Sequence, residues 1–480
     1  MSQSSASLDV SNGCVYRGTM VHSVALGNVQ ILLDAAIVVD EDGAISAVYD
    51  MNDDGSEGTV ADLMAGGLEV ADFRGKLIIP GFVDGHAHAP QYPYMGTGMD
   101  LPLLKWLETY TFPVEARFKN TTFARKVYEK SVRRHLMCGT TTCSYFATIH
   151  LEATKVLVDV IRGVGQRAYV GKVSMDRNAP DYLVEPLEDA KRDAEEFVKF
   201  ASDELDDSLI TPVVTPRFVP ACTAELLQFL GDISRKYDVP VQSHLSESPT
   251  EIDWVSQLHP ECDSYAGVYE RYGLLHNRSY FAHCVHCTGQ ERALMVDSKA
   301  GVVHCPSSNF MLSNGIANVR RYLAEGIKVG LGTDVAGGYS CSMLDCIRQT
   351  MVATNVCGLH PDEDGTVWNP LSFQESFHLA TMGGAEVLGL ENVVGNFEIG
   401  KQFDALIVNP TPASGGEDMD GDISVEGPFD LFPELGQGMQ AAFEKFIFLG
   451  DDRNIERVFV AGNRSLPVCV CVCVCLCVSV

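Results

Sequence analysis

From about residue 140 onward, short apolar runs alternate with amphipathic stretches in a regular beat. The apolar runs are TTTCSYFA (Thr140 to Ala147), RAYVGKVSMD (Arg167 to Asp176), ITPVVTPRF (Ile210 to Phe218), VPVQSHLSE (Val239 to Glu247), SYFAHC (Ser279 to Cys284), AGVVHCP (Ala300 to Pro306) and IKVGLGTD (Ile327 to Asp334). Continuous apolar runs of this kind predict strands buried on both faces. Between them Phe123 to Met137, Leu187 to Ala201, Thr223 to Tyr237, Gln290 to Ser298 and Asn318 to Glu325 carry the pattern of helices with one apolar face. One earlier run, Lys76 to Val83, brings the strands to eight. Eight β/α units predict an α/β fold, a (β/α)8 TIM-like barrel. The competing doubly wound sheet would carry G-x-G-x-x-G after its first strand, and none is present there.

The chain ends follow a different pattern. CVYRGTMVHS, VQILLDAAIVVDEDGAISAVYD and the stretch up to Phe73 alternate around Gly/Asp turns, as do GNFEIGKQFDALIVNP and FIFLGDDRNIERVFVAGNRSL near the other end. These read as short antiparallel strands, so both ends are expected to build one small β-sandwich domain beside the barrel. The division is 1–78 and 393–466 for that domain, 79–392 for the barrel, and 467–480 for a tail of alternating Val and Cys. A TG-dinucleotide repeat read in frame encodes such a tail, which reads as an appended terminus outside the fold. Ser414 to Gly427 is Gly/Asp/Glu-rich and reads as a solvated loop.

With 46% hydrophobic residues, 480 residues are far too apolar for disorder. The 64 acidic residues against 35 basic ones give a formal charge of −29. Such a surface repels phosphate backbones and anionic lipid, so neither nucleic acid nor membrane is expected as a partner. No basic-then-apolar leader and no uncharged apolar run of about 18 residues occurs, so a cytoplasmic protein is expected. Five of the 16 cysteines sit in the tail; the other eleven are scattered, as reduced thiols would be. Cys284-Val-His-Cys287 has no second pair at structural-zinc spacing and is read the same way.

Candidate chemistry begins with PGFVDGHAHAPQ, where His86 and His88 follow an apolar strand as His-x-His. On extended chain both imidazoles point to one side, and their shared object is usually a metal ion. Barrel enzymes gather their chemistry at the C-terminal ends of strands. There QSHLSE supplies His244 and Glu247, FAHC supplies His283, and GLGTD supplies Asp334. Four imidazoles and one carboxylate suit zinc or ferrous iron. His304, ending the seventh strand in HCPSSN, is a candidate pocket residue. His22, His135, His150, His259, His276, His286, His360 and His378 read as surface or packing histidines. The chain lacks H-E-x-x-H and lacks H-x-E followed by P-C-x-x-C, which sets aside zincins and the cytidine-deaminase fold.

PGFVDGHAHAPQ, QSHLSE, AHC, HCPSSN and GLGTDVAGGYS together resemble the amidohydrolase superfamily, from about Cys14 to Leu466. DLPLLKWLETYTFP, TPRF, SMLDCIRQT and LGDDRNIE narrow the resemblance to its branch that deaminates guanine. It implies a zinc-dependent hydrolysis of guanine to xanthine and ammonia. It also implies zinc ligation by His86, His88, His244 and Asp334, with His283 as a further ligand or as partner of the zinc-bound water. Asp334 and Glu247 are implied as proton carriers, Glu247 protonating the purine ring. Arg217 is implied as donor to the C6 carbonyl, with Gln91 and the backbone near Phe218 on the other edge; His244, Glu247 and Asp334 border the substrate. Relatives with two metals bridge them by a lysine on the fourth strand, and ITPVVTPRF has none, so one zinc per chain is expected. A homodimer is implied as well. Relatives can end in Ser-x-Val read by PDZ domains, but Val478 stands at the −2 position here, so such binding is not expected. Two alternatives stay open: a sibling deaminase or chlorohydrolase of another aminated heterocycle, and a catalytically dead scaffold protein.

Overall fold

The computed structural model describes residues 13–362, 365–411 and 427–467. The Val-Cys repeat and all but the last residue of the loop expected at Ser414 to Gly427 lie outside them. Among the described residues seventeen strands run in chain order: β1 (Cys14–Ala25), β2 (Asn28–Val39), β3 (Ile45–Asp50), β4 (Glu69–Pro80), β5 (Phe82–His88), β6 (Thr140–Phe146), β7 (Arg167–Gly171), β8 (Val173–Ser174), β9 (Ile210–Pro212), β10 (Thr215–Pro216), β11 (Val241–Leu245), β12 (Ser279–His283), β13 (Gly301–His304), β14 (Lys328–Leu331), β15 (Ala405–Val408), β16 (Ile455–Val460) and β17 (Asn463–Pro467).

The strands of both chain ends join in one sheet, ordered β17-β16-β15-β4-β1-β2-β3. All neighbours are antiparallel except β1 and β4, which run parallel. The sheet folds over on itself. Phe403 N–H donates to Gly43 O at 2.9 Å and Gly462 N–H to Phe403 O at 3.0 Å, joining the two hairpin ends. A Cβ on Gly43 would lie 2.0 Å from Ala461 O, so only glycine allows that approach. The enclosed face is aromatic: Tyr16 stacks on Phe403 at 4.5 Å and meets Phe459 edge-on at 5.1 Å.

The barrel consists of two parallel arcs, β5-β6-β7-β9 and β11-β12-β13-β14, closed at two seams. At one seam Val214 N–H donates to Pro240 O (2.9 Å) and Gln242 N–H to Val214 O (3.0 Å). At the other, Asp334 N–H donates to His86 O (2.8 Å) and His88 N–H to Val335 O (2.9 Å). The fourth strand is broken into β9 and β10, consistent with Pro212 and Pro216, which have no N–H to donate. Helices form over the five expected amphipathic stretches, with Asn120, Thr223, Thr288 and Asn318 capping four of them, and further helices form at Leu151–Val164, Pro249–Leu258, Tyr265–Arg271 and Met343–Leu359.

Three segments differ from expectation. Lys76 to Val83 is not one strand: Gly81 N–H donates to Asp404 O and the next donor, Phe82 N–H, to Gly139 O, both at 2.9 Å, so the run leaves one sheet and enters the other. Ser56–Ala65, within the stretch read as strands, is a helix. Phe446 to Leu449 ends the helix Met439–Leu449, whose buried Ala442, Phe443, Phe446 and Ile447 follow a helical rather than a two-residue period.

Candidate active site

At the C-terminal mouth of the barrel, β5 delivers His86 and His88, β11 His244, β12 His283, and the turn after β14 Asp334; each is at most 9% exposed. A bulge between Asp84 and Ala87 interrupts the alternation of β5, so Asp84 faces His135 while His86 faces His88 and His244. His283 (φ 69°) and Asp334 (φ 47°) occupy the left-handed region, which costs on the order of 1 kcal/mol or more for a side-chain-bearing residue.

The donor atoms converge. His88 Nε2 lies 3.3 Å from His244 Nε2, and Asp334 Oδ1 lies 3.2 Å from His86 Nε2 and 3.5 Å from His88 Nε2. His283 Nε2 stands 3.8 Å from Asp334 Oδ2 and 3.7 Å from Glu247 Oε2. Two ligands held at 2.0–2.1 Å by one tetrahedral ion are about 3.3 Å apart, so these separations fit a single cation.

The surroundings aim each ring. His244 Nδ1 bonds Arg217 O at 2.6 Å and His283 Nδ1 bonds Asn309 Oδ1 at 2.9 Å, which turns both Nε2 atoms to the centre. His86 Nε2 is buried with no hydrogen-bond partner among the described residues. Phe146 packs on His86, His88 and His244 with ring centres 4.8, 4.7 and 4.9 Å away. Asp84 accepts from His86 N–H (3.1 Å), Thr333 N–H (3.0 Å) and Thr333 Oγ1 (2.5 Å), tying the first strand to the eighth. Burial holds His88 and His244 well below the usual imidazole range, leaving neutral rings with free lone pairs. Burial opposes ionisation of Asp334, but the imidazoles close around it, His86 first, outweigh burial and hold the carboxyl low.

Beside this ring opens a cleft of about 530 Å³, including its mouth, walled by Leu103, Trp106, Leu107, Phe218 and Leu312. Its polar groups are Gln91, Arg217, Glu247 and Glu251. Arg217 grips Glu115 with Nη1–Oε2 at 2.6 Å and Nη2–Oε1 at 3.3 Å; Gln91 Nε2 donates to the same Oε1 at 3.0 Å and Gln91 Oε1 accepts from Ala336 N–H at 3.2 Å. Glu247 accepts from Asn314 Nδ2 at 2.7 Å, and burial, with the charge of Asp334, raises its carboxyl to about 8. Glu251, bonded by Tyr265 Oη at 2.6 Å, is raised to about 7 by burial and then by Glu247.

The residues read from sequence are therefore brought together: His88, Gln91, Arg217, Phe218, His244, Glu247, His283 and Asp334 line one cleft, and His86 completes the donor ring beside it. Glu115, Phe146, Asn309, Asn314 and Glu251 were not anticipated. Only Asn309 carried a signal, being the Asn of HCPSSN. His304 is wholly buried with neither ring nitrogen bonded among the described residues, and burial lowers it to about 3. Cys284 and Cys287 are free thiols, and His135, expected at the surface or packed, is wholly buried behind Asp84. Among the described residues no helix is long and apolar enough to cross a membrane.

A parallel barrel with His-x-His on its first strand, imidazoles on the fifth and sixth and an aspartate after the eighth defines a metal-dependent hydrolase class: the chain belongs to the amidohydrolase family, which it matches over residues 77–464. Within that family it is 44% identical over 457 residues to a guanine deaminase of Dictyostelium discoideum, covering 94% of this chain and 97% of the relative. It is 39% identical over 458 residues to guanine deaminase of Homo sapiens, covering 94% and 96%. A solved guanine deaminase from C. acetobutylicum with guanine bound in the active site superposes with a TM-score of 0.84 at 38% identity, covering 94% of this chain and 100% of that one.

Proposed function

We propose that the chain hydrolyses guanine to xanthine and ammonia with one zinc ion, a step of purine catabolism. The observation that carries this reading is the placement of Glu247 beside the five-donor ring, 3.7 Å from His283 Nε2, in an apolar-walled cleft that Gln91 and Arg217 also line. His86, His88, His244 and Asp334 would hold the metal, with His283 as fifth donor. When bound, zinc supplies a nucleophilic water at neutral pH. Asp334, bordering the cleft, would accept the proton given up by a water adding to C2. Glu247, kept protonated by burial, gives a proton to the purine ring nitrogen and then serves the departing amine. Arg217 has five N–H donors and spends two on Glu115, so it retains donors for the C6 carbonyl. Gln91 and the backbone at Phe218 border the other edge.

A single ion is supported by the fourth strand, which has no lysine, and by Lys172 on the third, which is paired to Glu185 away from the ring. The homodimer implied by the family resemblance belongs to this reading too. Val352 and Leu359, with Phe448 and Leu449 on the adjoining helix, are exposed and offer an apolar surface for it. Light scattering of the purified protein decides between dimer and monomer. For the substrate, ammonia release is compared between guanine and 2-aminopurine, which lacks the carbonyl. Guanine should be preferred by at least tenfold; equal rates would favour a sibling activity.

A further inference from the structure

Two glutamates line the catalytic cleft, and the reaction as written gives work to one of them, Glu247. The other is Glu251, 2% exposed, in the first turn of the helix Pro249–Leu258. Ser248 caps that helix by accepting Glu251 N–H on its Oγ at 3.3 Å, so Glu251 follows Glu247 by a single capped turn. The two are close enough for the charge of Glu247 to raise the Glu251 carboxyl. One oxygen of Glu251 is occupied: Tyr265 Oη donates to Oε1 at 2.6 Å. Tyr265 is buried and stacks on Tyr269 at 5.7 Å, and Tyr269 Oη donates to His244 O at 2.8 Å, which ties the carboxyl to the donor ring. Oε2 has no hydrogen-bond partner among the described residues. A buried carboxylate oxygen left without a donor is costly, and a molecule filling the cleft is a source of one.

The groups on guanine decide which donor that is. N3 is the one ring nitrogen next to C2 without a proton, so it is the nitrogen that Glu247 serves. Arg217 takes the C6 carbonyl on the opposite edge, and N1–H lies between C2 and that carbonyl. The remaining ring N–H is N9–H, separated from N3 by C4 alone and on the same side of the purine. Resting on the guanine reading, we propose that Glu251 Oε2 accepts the N9–H of the substrate and so selects the free base over N9-substituted purines. Glu247 and Glu251 then read neighbouring atoms of one edge, the first giving a proton and the second accepting a hydrogen bond. A nucleoside has no N9–H to give and sets its sugar against the carboxylate.

The test uses zinc-loaded protein and two analogues as competitors of guanine deamination: 7-deazaguanine, which keeps N9–H, and 9-deazaguanine, which has C–H in that place. Glu251→Gln should lower kcat/KM for guanine about tenfold, weaken inhibition by 7-deazaguanine by about the same factor, and leave inhibition by 9-deazaguanine within about twofold of the parent. Tyr265→Phe, which releases Oε1, should show the same selectivity at roughly threefold, and it decides alone if Glu251→Gln does not fold. A loss equal for guanine and both analogues makes Glu251 a support for the fold around Glu247 and overturns the proposal, as does no loss at all. A zinc-loaded parent that releases no ammonia from guanine overturns the guanine reading, and the N9 contact falls with it.

Discussion

Glu115→Gln removes one charge from the most buried ion pair at the cleft while keeping the side chain's shape. Glu115 is 1% exposed and Arg217 4%. The carboxylate accepts two bonds from Arg217 and one from Gln91. A glutamine offers one acceptor oxygen where three donors converge, and its own NH2 must face a guanidinium or an amide NH2. Leaving a buried charge without its partner costs about 3–5 kcal/mol, and solvent screens little at this depth. Urea denaturation should show a loss of that size. If Arg217 binds the C6 carbonyl as proposed, its guanidinium would no longer be held in place, so one charge-assisted hydrogen bond, about 1.5–3 kcal/mol, should be lost from kcat/KM for guanine, roughly 10–150-fold. Discrimination against 2-aminopurine should narrow with it. A Glu115→Gln protein within about 1 kcal/mol of the parent's stability and with unchanged kcat/KM would refute the idea that Glu115 positions Arg217.

Glu247→Gln should retain zinc and guanine binding yet lose about 10²–10⁴ in turnover, read by single-turnover kinetics, because a glutamine cannot carry the proton; loss of zinc would show Glu247 to be a ligand instead. His86→Ala should lose its zinc on dialysis and its activity together, and elemental analysis finding full zinc would remove His86 from the ligand set. In metal-free protein Glu247 and Glu251 bind protons up to about 8 and 7, whereas the unfolded chain releases them near 4.5. The folded state therefore holds more protons on these two carboxyls between those values, and their contribution to stability should fall as pH rises from about 5 to 8, while the buried His88 and His244 act in the opposite sense below 6.5. Measured against Glu247→Gln/Glu251→Gln protein, the parent's relative stability in urea should drop across that window; a relative stability that rises would contradict the assignment.

The five donors of the ring were legible because each sits where an apolar run stops, and only a few residue types at such positions have chemistry to offer. His244 and His283 needed nothing more than the strand count to be placed opposite His86. Glu115 was invisible for the opposite reason. It lies in a helical segment between the first two barrel strands, 102 positions from Arg217, and nothing local distinguishes it from a solvated glutamate. Phe146 likewise reads as an ordinary apolar strand end until three imidazoles are seen against it. The break at Gly81 escaped because LIIPGFV is apolar throughout, and the change of sheet is written only in which carbonyl accepts each N–H. FIFL was read with a two-residue period although its helical face begins upstream at Ala442.

The account rests on one zinc-held site acting on guanine, and a zinc titration of metal-free protein with ammonia release from guanine as the readout tests both parts at once. Activity should rise linearly and break at one zinc per chain, with one ammonia released for each guanine consumed. No ammonia at any zinc loading, or a break at two equivalents, would contradict it.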